Sequence, residues 1–324
     1  MKYTIGIDVG GTNIAAGLVD ENGIMVSIAG RKTCPPRPAE AYAEDMAELG
    51  RELVEKNGLF WEDVLWLGVG LPGTVNINKG ALEYANNLGI VYAPLKEMLE
   101  KLLPCKIYLE NDGDAAAWAE FLYGAGKGSR DFLMVTLGTG IGAGIIMNGK
   151  ISRGVNYAAG EVGHMTIQFD GEVCSCGRRG CFEQYASASA LVRQAKAMMK
   201  NDRNKDSLLW QLCSGNPEIV EGKQIFQAVR EGDEKTKQVL EQYLGYLECG
   251  ITNLINIFQP DILCIGGGIS RAQDCLLEPL KELCSKHVYS RDSQVQTKIV
   301  PAKFYNEAGI LGAALLGREG GICQ

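Results

Sequence analysis

Positive charge never gathers in this sequence. No basic run is longer than Arg178-Arg179, and 32 Lys and Arg face 39 Asp and Glu, for a net charge of −7 at pH 7. That balance argues against a nucleic-acid partner. The opening MKYTIGIDVGG has no apolar stretch of the kind a secretory leader needs, so a cytoplasmic setting is expected. Phe132 to Gly149 runs eighteen residues without a charge, which is membrane length. It carries five glycines, with Gly138, Gly140, Gly142 and Gly144 at alternate positions, and that is turn and strand chemistry, so no membrane partner is expected. Eleven cysteines in 324 residues fall far short of a disulfide scaffold. Histidine is scarcer still, with two.

The bulk of the chain is ordinary for a compact protein, at 46% hydrophobic and 22% charged. Its length suggests about two domains, each able to bury a core. Tyr3 to Val9 reads as a strand, Gly10-Gly11 as a turn and Thr12 to Val19 as a returning strand. Asp20-Glu21-Asn22-Gly23 then turns into a third strand, Ile24 to Ile28. The same grammar recurs about 128 residues later, with Asp131 to Leu137, the turn Gly138-Thr139-Gly140, Ile141 to Met147 and Asn148-Gly149. A repeat of that length fits two related domains. Apolar residues three and four apart predict helices over 40–57, 95–103, 112–123 and 234–258, and a buried strand is expected over 262–265. Strands alternating with helices make this an α/β protein with mixed sheets.

Four constellations carry chemistry. Asp8-Val9-Gly10-Gly11-Thr12 places an aspartate at a strand end before two glycines and a hydroxyl. Glycines let backbone N–H groups approach a phosphate, and Asp8 would face a Mg²⁺ ion riding on it. The plain alternative is a tight hairpin that Asp8 caps. Gly138-Thr139-Gly140 is the counterpart in the second half. It is neither a dinucleotide fingerprint nor a Walker loop, since its glycines alternate and a strand follows. Two such turns suggest a nucleotide held from both sides, and Gly266-Gly267-Gly268 after a buried strand offers a flat surface for adenine or ribose. Glu110-Asn111-Asp112 opens an alanine-rich helix, where an Asn-Asp pair serves either as a cap or as a substrate-positioning amide beside a general base. His164, Cys174, Cys176 and Cys181 complete a Cys₃His set, the closed arrangement of structural zinc. With only two histidines in the chain, one lying just ahead of three clustered cysteines is hard to ascribe to chance. The other, His287, has no such company.

Asp8-Val9-Gly10-Gly11-Thr12, Leu137-Gly138-Thr139-Gly140-Ile141-Gly142, Glu161-Val162-Gly163-His164 and Cys174-Ser175-Cys176-Gly177-x2-Gly180-Cys181-Phe182-Glu183 together resemble the ROK family of repressors and kinases, most of all its bacterial glucokinases. The likeness runs from Tyr3 to Glu307-Ala308-Gly309-Ile310-Leu311-Gly312-Ala313-Ala314. It implies two ribonuclease-H-like, actin- and hexokinase-type domains around a cleft. The smaller would take residues 1–115 with a returning C-terminal helix over 305–324, and the larger residues 116–304 with the zinc motif. It implies ATP with Mg²⁺ between the two glycine hairpins, and Gly266, Gly267 and Gly268 near the adenosine. A hexose would be touched by Gly73, Asn87, Asn111, Asp112, Glu161, His164 and Glu183, with Asp112 as base for its 6-hydroxyl and zinc holding Glu161, His164 and Glu183 in place. Glucose is the expected acceptor and a homodimer the expected assembly. N-acetylmannosamine, N-acetylglucosamine, allose and fructose kinases share these motifs, as do sugar-sensing regulators. With the first strand at Tyr3, no DNA-binding module is expected ahead of it. One departure stands out. Asp114 occupies a position where these enzymes often carry a second asparagine, and a solvent-facing or helix-dipole role in the first helical turn is expected for it.

Overall fold

The computed structural model describes residues 1–318, so residues 319–324 of the expected C-terminal helix lie outside the described residues. The described chain falls into two compact units. One holds Met1–Leu133, Gly144–Gly160 and the chain from Lys303 on; the other holds Met134–Ala143 and Glu161–Ala302. The boundary expected after residue 115 would cut a continuous helix, and the structure keeps that helix whole in the first unit.

The first unit is built on β1 (Tyr3–Val9), β2 (Asn13–Asp20), β3 (Met25–Lys32) and β4 (Val64–Leu71). A small three-stranded sheet follows, from β5 (Thr74–Asn76), β6 (Ala81–Ala85) and β7 (Ile90–Ala93), before β8 (Lys106–Asn111) rejoins the main sheet. That sheet has the order β3-β2-β1-β4-β8, antiparallel through β1 and parallel from β1 to β8. Helices α1 (Ala39–Lys56), α2 (Leu95–Leu102) and α3 (Asp112–Tyr123) match the spacing read from the sequence. Met46, Leu49 and Leu53 on α1 are fully buried in one core with Ile5, Ile7 and Val9 of β1, the period-3.6 stripe of a helix meeting the period-2 face of a strand.

The second sheet, ordered β11-β10-β9-β12-β13, uses β9 (Phe132–Leu137), β10 (Ile141–Met147), β11 (Lys150–Ile151), β12 (Ile262–Gly266) and β13 (Lys298–Pro301). Its outer pairs are antiparallel at β10–β11 and parallel at β12–β13. In each sheet's own numbering the order is 3-2-1-4-5, so the repeat legible in the sequence is a repeat of topology. The charge-free run 132–149 is β9 and β10 with their turns, and no helix among the described residues is long and apolar enough to cross a membrane.

Helices α4 (Glu183–Ala186), α5 (Ala188–Asn201), α6 (Leu208–Leu212), α7 (Gly222–Arg230), α8 (Glu234–Phe258) and α9 (Glu278–His287) complete the second unit. On α8, Tyr243, Leu247, Ile251 and Leu254 are buried, and the Tyr243 hydroxyl donates to the Ala186 carbonyl at 2.7 Å. The chain then returns to the first unit through α10 (Ala308–Ala314). Buried Glu120 on α3 staples that return. Its Oε1 accepts the Lys303 and Phe304 N–H groups, each at 2.7 Å. Next to it α10 and α3 touch backbone to backbone, since a Cβ at Gly312 would stand 1.7 Å from the Ala115 carbonyl oxygen.

Candidate active site

In the first unit the turn between β1 and β2 is tied at both ends. The Gly10 N–H donates to the Asn13 carbonyl at 2.9 Å, and the Thr33 hydroxyl donates to the Gly10 carbonyl at 2.7 Å. Gly11 and Thr12 at the apex are exposed, and Asn87, in the 3₁₀ turn Asn86–Leu88, sits beside Gly11. Asp8 is the last residue but one of β1, where burial pushes its carboxyl up to about 6. Gly309 leaves room for that carboxylate, because a Cβ there would lie 2.5 Å from Asp8 Oδ2. A hard cation alongside would restore its charge, and a carboxylate beside exposed backbone N–H groups is a donor set that fits Mg²⁺ on a phosphate.

Asn111 and Asp112 stand where β8 passes into α3. Asn111 is the N-cap: its Oδ1 accepts the Gly113 N–H at 2.9 Å and the Asp114 N–H at 3.1 Å. Its Nδ2 donates to the Gly73 carbonyl at 3.0 Å, which joins the cap to the Leu71-Pro72-Gly73 turn. Asp112 Oδ1 accepts the Gly113 N–H at 2.8 Å. The two readings of this pair are therefore not exclusive, because Asn111 caps the helix and in doing so fixes the aspartate next to it.

Asp114 corrects an expectation. It is not solvent-facing but 4% exposed, with Oδ1 lacking any hydrogen-bond partner. Burial, then the charge of Glu110, pushes its carboxyl well above the usual carboxylate range. Helix geometry explains the burial: residues 114 to 120 of α3 are all buried, so the second residue after Asp112 already faces the core. The Glu110-Asn111-Asp112 run gives its first residue no role in the sequence, and nothing there marks Arg153. Glu110, also buried, receives Arg153 through Nε at 2.8 Å and Nη2 at 2.5 Å. No local pattern announces a pair separated by 43 positions.

In the second unit the Gly138 N–H donates to the Gly140 carbonyl at 3.0 Å, closing the second glycine turn with Thr139 exposed at its apex. Glu183, the first residue of α4, lies under this turn. Its Oε2 accepts the Ile141 N–H at 3.0 Å, and a Cβ at Gly140 would stand 2.1 Å from that oxygen. Only glycine lets the carboxylate come so close. Of the glycine triplet, Gly266 is buried against Met134 and Thr136. Gly267, at φ +89°, packs on the Leu137 carbonyl, and only Gly268 meets open space.

His164, Cys174, Cys176 and Cys181 converge, with one ligand atom from each lying within 4.8 Å of all the others. Cys176 and Cys181 sulfurs are 3.7 Å apart, and Cys174 Sγ is 3.6 Å from His164 Nδ1. A tetrahedral ion with bonds of about 2.0–2.3 Å would set its ligands roughly 3.5–3.8 Å apart, so these residues could hold a metal. Their titration agrees. Burial opposes ionisation of Cys174, yet hydrogen bonds from Cys176, Cys181 and His164 bring it down to about 6, while burial and the neighbouring thiols push Cys181 up to about 12. Without a cation the thiols cannot all ionise together. The other face of the imidazole meets Glu161, with Nε2 at 3.9 Å from its Oε2.

The structure thus brings together Asn111, Asp112 and Gly73, and sets Gly11 beside Asn87, in one unit. In the other it joins Gly140 to Glu183, and Glu161 to His164 and the three cysteines. A sequence model described as the ROK family matches residues 4–319. A glucokinase of Streptomyces coelicolor is 35% identical over 319 residues, covering 98% of each chain. The xylose repressor of Bacillus subtilis is 27% identical over 96% of this chain and 75% of its own. The crystal structure of a ROK family glucokinase from Streptomyces griseus in complex with glucose and AMPPNP superposes with a TM-score of 0.83 at 35% identity, over 98% of this chain and all of the other. Matched by the family from its first strand to its last described helix, the chain belongs to the ROK family.

Proposed function

We propose that the protein is an ATP-dependent hexose kinase that phosphorylates the 6-hydroxyl of glucose. The observation that carries this reading is the seating of Asp112. A carboxylate fixed at a capped helix start, beside an amide locked to the Gly73 turn, is what proton abstraction from a sugar hydroxyl requires. The glucokinases at 35% identity support the same chemistry. Asp112 takes the proton of the hydroxyl as its oxygen bonds to the γ-phosphorus of ATP, and the bond from phosphorus to the bridging oxygen of ADP breaks. The two glycine turns offer backbone N–H groups to the triphosphate through Gly11 and Thr12 in one unit and Thr139 and Gly140 in the other, while the Gly10 and Gly138 N–H groups close the turns themselves. Asp8 would hold Mg²⁺, which when bound neutralises phosphate charge.

Asn111, Asn87 and Gly73 in one unit, and Glu161, His164 and Glu183 in the other, are assigned to the sugar hydroxyls. Gly268 is left as the part of the triplet open to adenosine. The Cys₃His set is assigned to structural Zn²⁺, whose part is to fix the His164 ring and the segment that carries Glu161 and Glu183. The repeated strand order supports two ribonuclease-H-like domains.

ADP release coupled to a panel of glucose, mannose, fructose, allose, N-acetylglucosamine and N-acetylmannosamine tests the reading. Glucose should give the highest kcat/KM. A preference of about tenfold or more for an N-acetylated sugar, worth about 1.4 kcal/mol in transition-state binding, would overturn the choice of glucose. Absence of turnover on every sugar would overturn the kinase.

A further inference from the structure

Arg153 has no place in the chemistry described so far, yet it is the cation paired with the carboxylate buried directly behind the base. It follows β11 in the chain and reaches β8 with both Nε and Nη2 on one oxygen of Glu110, at 2.8 and 2.5 Å. Side-chain exposure is 13% for Arg153 and 1% for Glu110. The other oxygen, Glu110 Oε1, accepts the Asn111 N–H at 3.1 Å. From Asn111 the bonding continues to the Gly113 and Asp114 N–H groups and to the Gly73 carbonyl. Guanidinium, carboxylate, backbone amide and cap therefore form one line that reaches the Gly113 N–H, which Asp112 Oδ1 also accepts.

We propose that Arg153, acting through Glu110, is a positioning residue for Asp112, holding the Asn111–Asp112 step in the orientation that proton abstraction needs. The proposal rests on the hexose kinase reading. A buried carboxylate deprived of its cation must either take up a proton or move, and both disturb the bond to the Asn111 amide. Asp114 belongs to the same buried cluster, since the Glu110 charge raises its carboxyl and the Arg153 charge lowers it, while its Oδ1 has no hydrogen-bond partner. A displacement of the base by about 1 Å is enough to cost on the order of a hundredfold in rate.

The test is a double-mutant cycle on the full chain. Arg153→Gln and Glu110→Gln each leave one buried charge without its partner, so each should lower kcat about tenfold or more while KM for ATP stays within about twofold. The double variant replaces the ion pair by two neutral amides that can bond each other, so it should recover most of the lost kcat. Arg153→Lys, which keeps the charge and loses the fork, should fall between. Losses that add up in the double variant, or variants whose melting temperature drops while kcat stays at the wild-type value, would overturn the proposal. Should Arg153→Gln fail to fold, Arg153→Lys decides: wild-type kcat overturns the relay and a several-fold loss supports it. Amide hydrogen exchange at Asn111, Gly113 and Asp114 gives a readout without turnover. Protection should fall in Glu110→Gln and return in the double variant, and unchanged protection overturns the relay even if the wild-type protein proves to phosphorylate no hexose.

Discussion

The surroundings of Asp112 and the loop from Glu161 to Glu183 are both built from polar residues, but they obtain their order from different sources. The first is backed by regular structure: β8 leads in, α3 leads out, and residues 114–120 of that helix are buried against α10 and the sheet. The second has one 3₁₀ turn, Val162–His164, two isolated bridges, Thr166 with Cys181 and Val173 with Arg179, and a run of turns. Phe169 and Val173 in it are largely exposed. A segment so poor in core contacts needs a cross-link, and four converging ligands supply the place for one. If the proposed zinc is bound, one region is fixed by packing and the other by a metal ion, and the two should fail under different treatments.

The largest effect expected touches chemistry alone. Asp112→Asn should lower kcat by about 10²–10⁴ with an unchanged melting temperature, measured by coupled assay and calorimetry, and turnover near the wild-type value would take the base away from this position. Removal of the metal should strike the other region. Purified protein should carry about one zinc per chain, and a strong chelator or Cys181→Ser should lower the melting temperature by on the order of 10 °C. In hydrogen exchange, amides of residues 161–183 should lose protection while those of α3 keep it. Equal loss in both would erase the contrast. Gly312→Ala reverses the test, because its Cβ would meet the Ala115 carbonyl at 1.7 Å. It should cost about 3 kcal/mol of stability, read by denaturant unfolding, with zinc content unaltered.

The smallest effect depends on pH. The Asp114 carboxyl is raised by burial and by Glu110. An unfolded aspartate ionises near pH 4. Above that pH the folded chain keeps a proton that the unfolded chain releases, so wild-type stability falls as pH rises toward the folded value. Asp114→Asn removes the penalty. Its gain in stability should be nil near pH 3.5 and grow by up to about 1.4 kcal/mol per pH unit above pH 4, and a gain independent of pH would show Asp114 ionised in the fold.

Much of this was legible in the sequence where the signal is local. The stripe Met46, Leu49, Leu53 predicted α1, and the alternation around Gly10-Gly11 and Gly138-Thr139-Gly140 predicted both hairpins, because helix and strand periods are written in neighbouring residues. The Cys₃His set was legible because its ligands are short-range in sequence. What stayed hidden depends on distant partners. Arg153 meets Glu110 across 43 positions. Asp114 looked like a surface residue because a charge in a first helical turn commonly is one, and only the packing of α3 shows otherwise. Gly266 looked like part of a flat binding surface, whereas it is buried because Met134 lies over it.

Phosphorus NMR of a mixture of the protein, ATP, Mg²⁺ and glucose tests the central claim most directly. The account predicts a sugar 6-phosphate signal that grows in step with ADP and is all but lost with Asp112→Asn. Phosphate on another oxygen, inorganic phosphate alone, or an undiminished signal from that variant would contradict it.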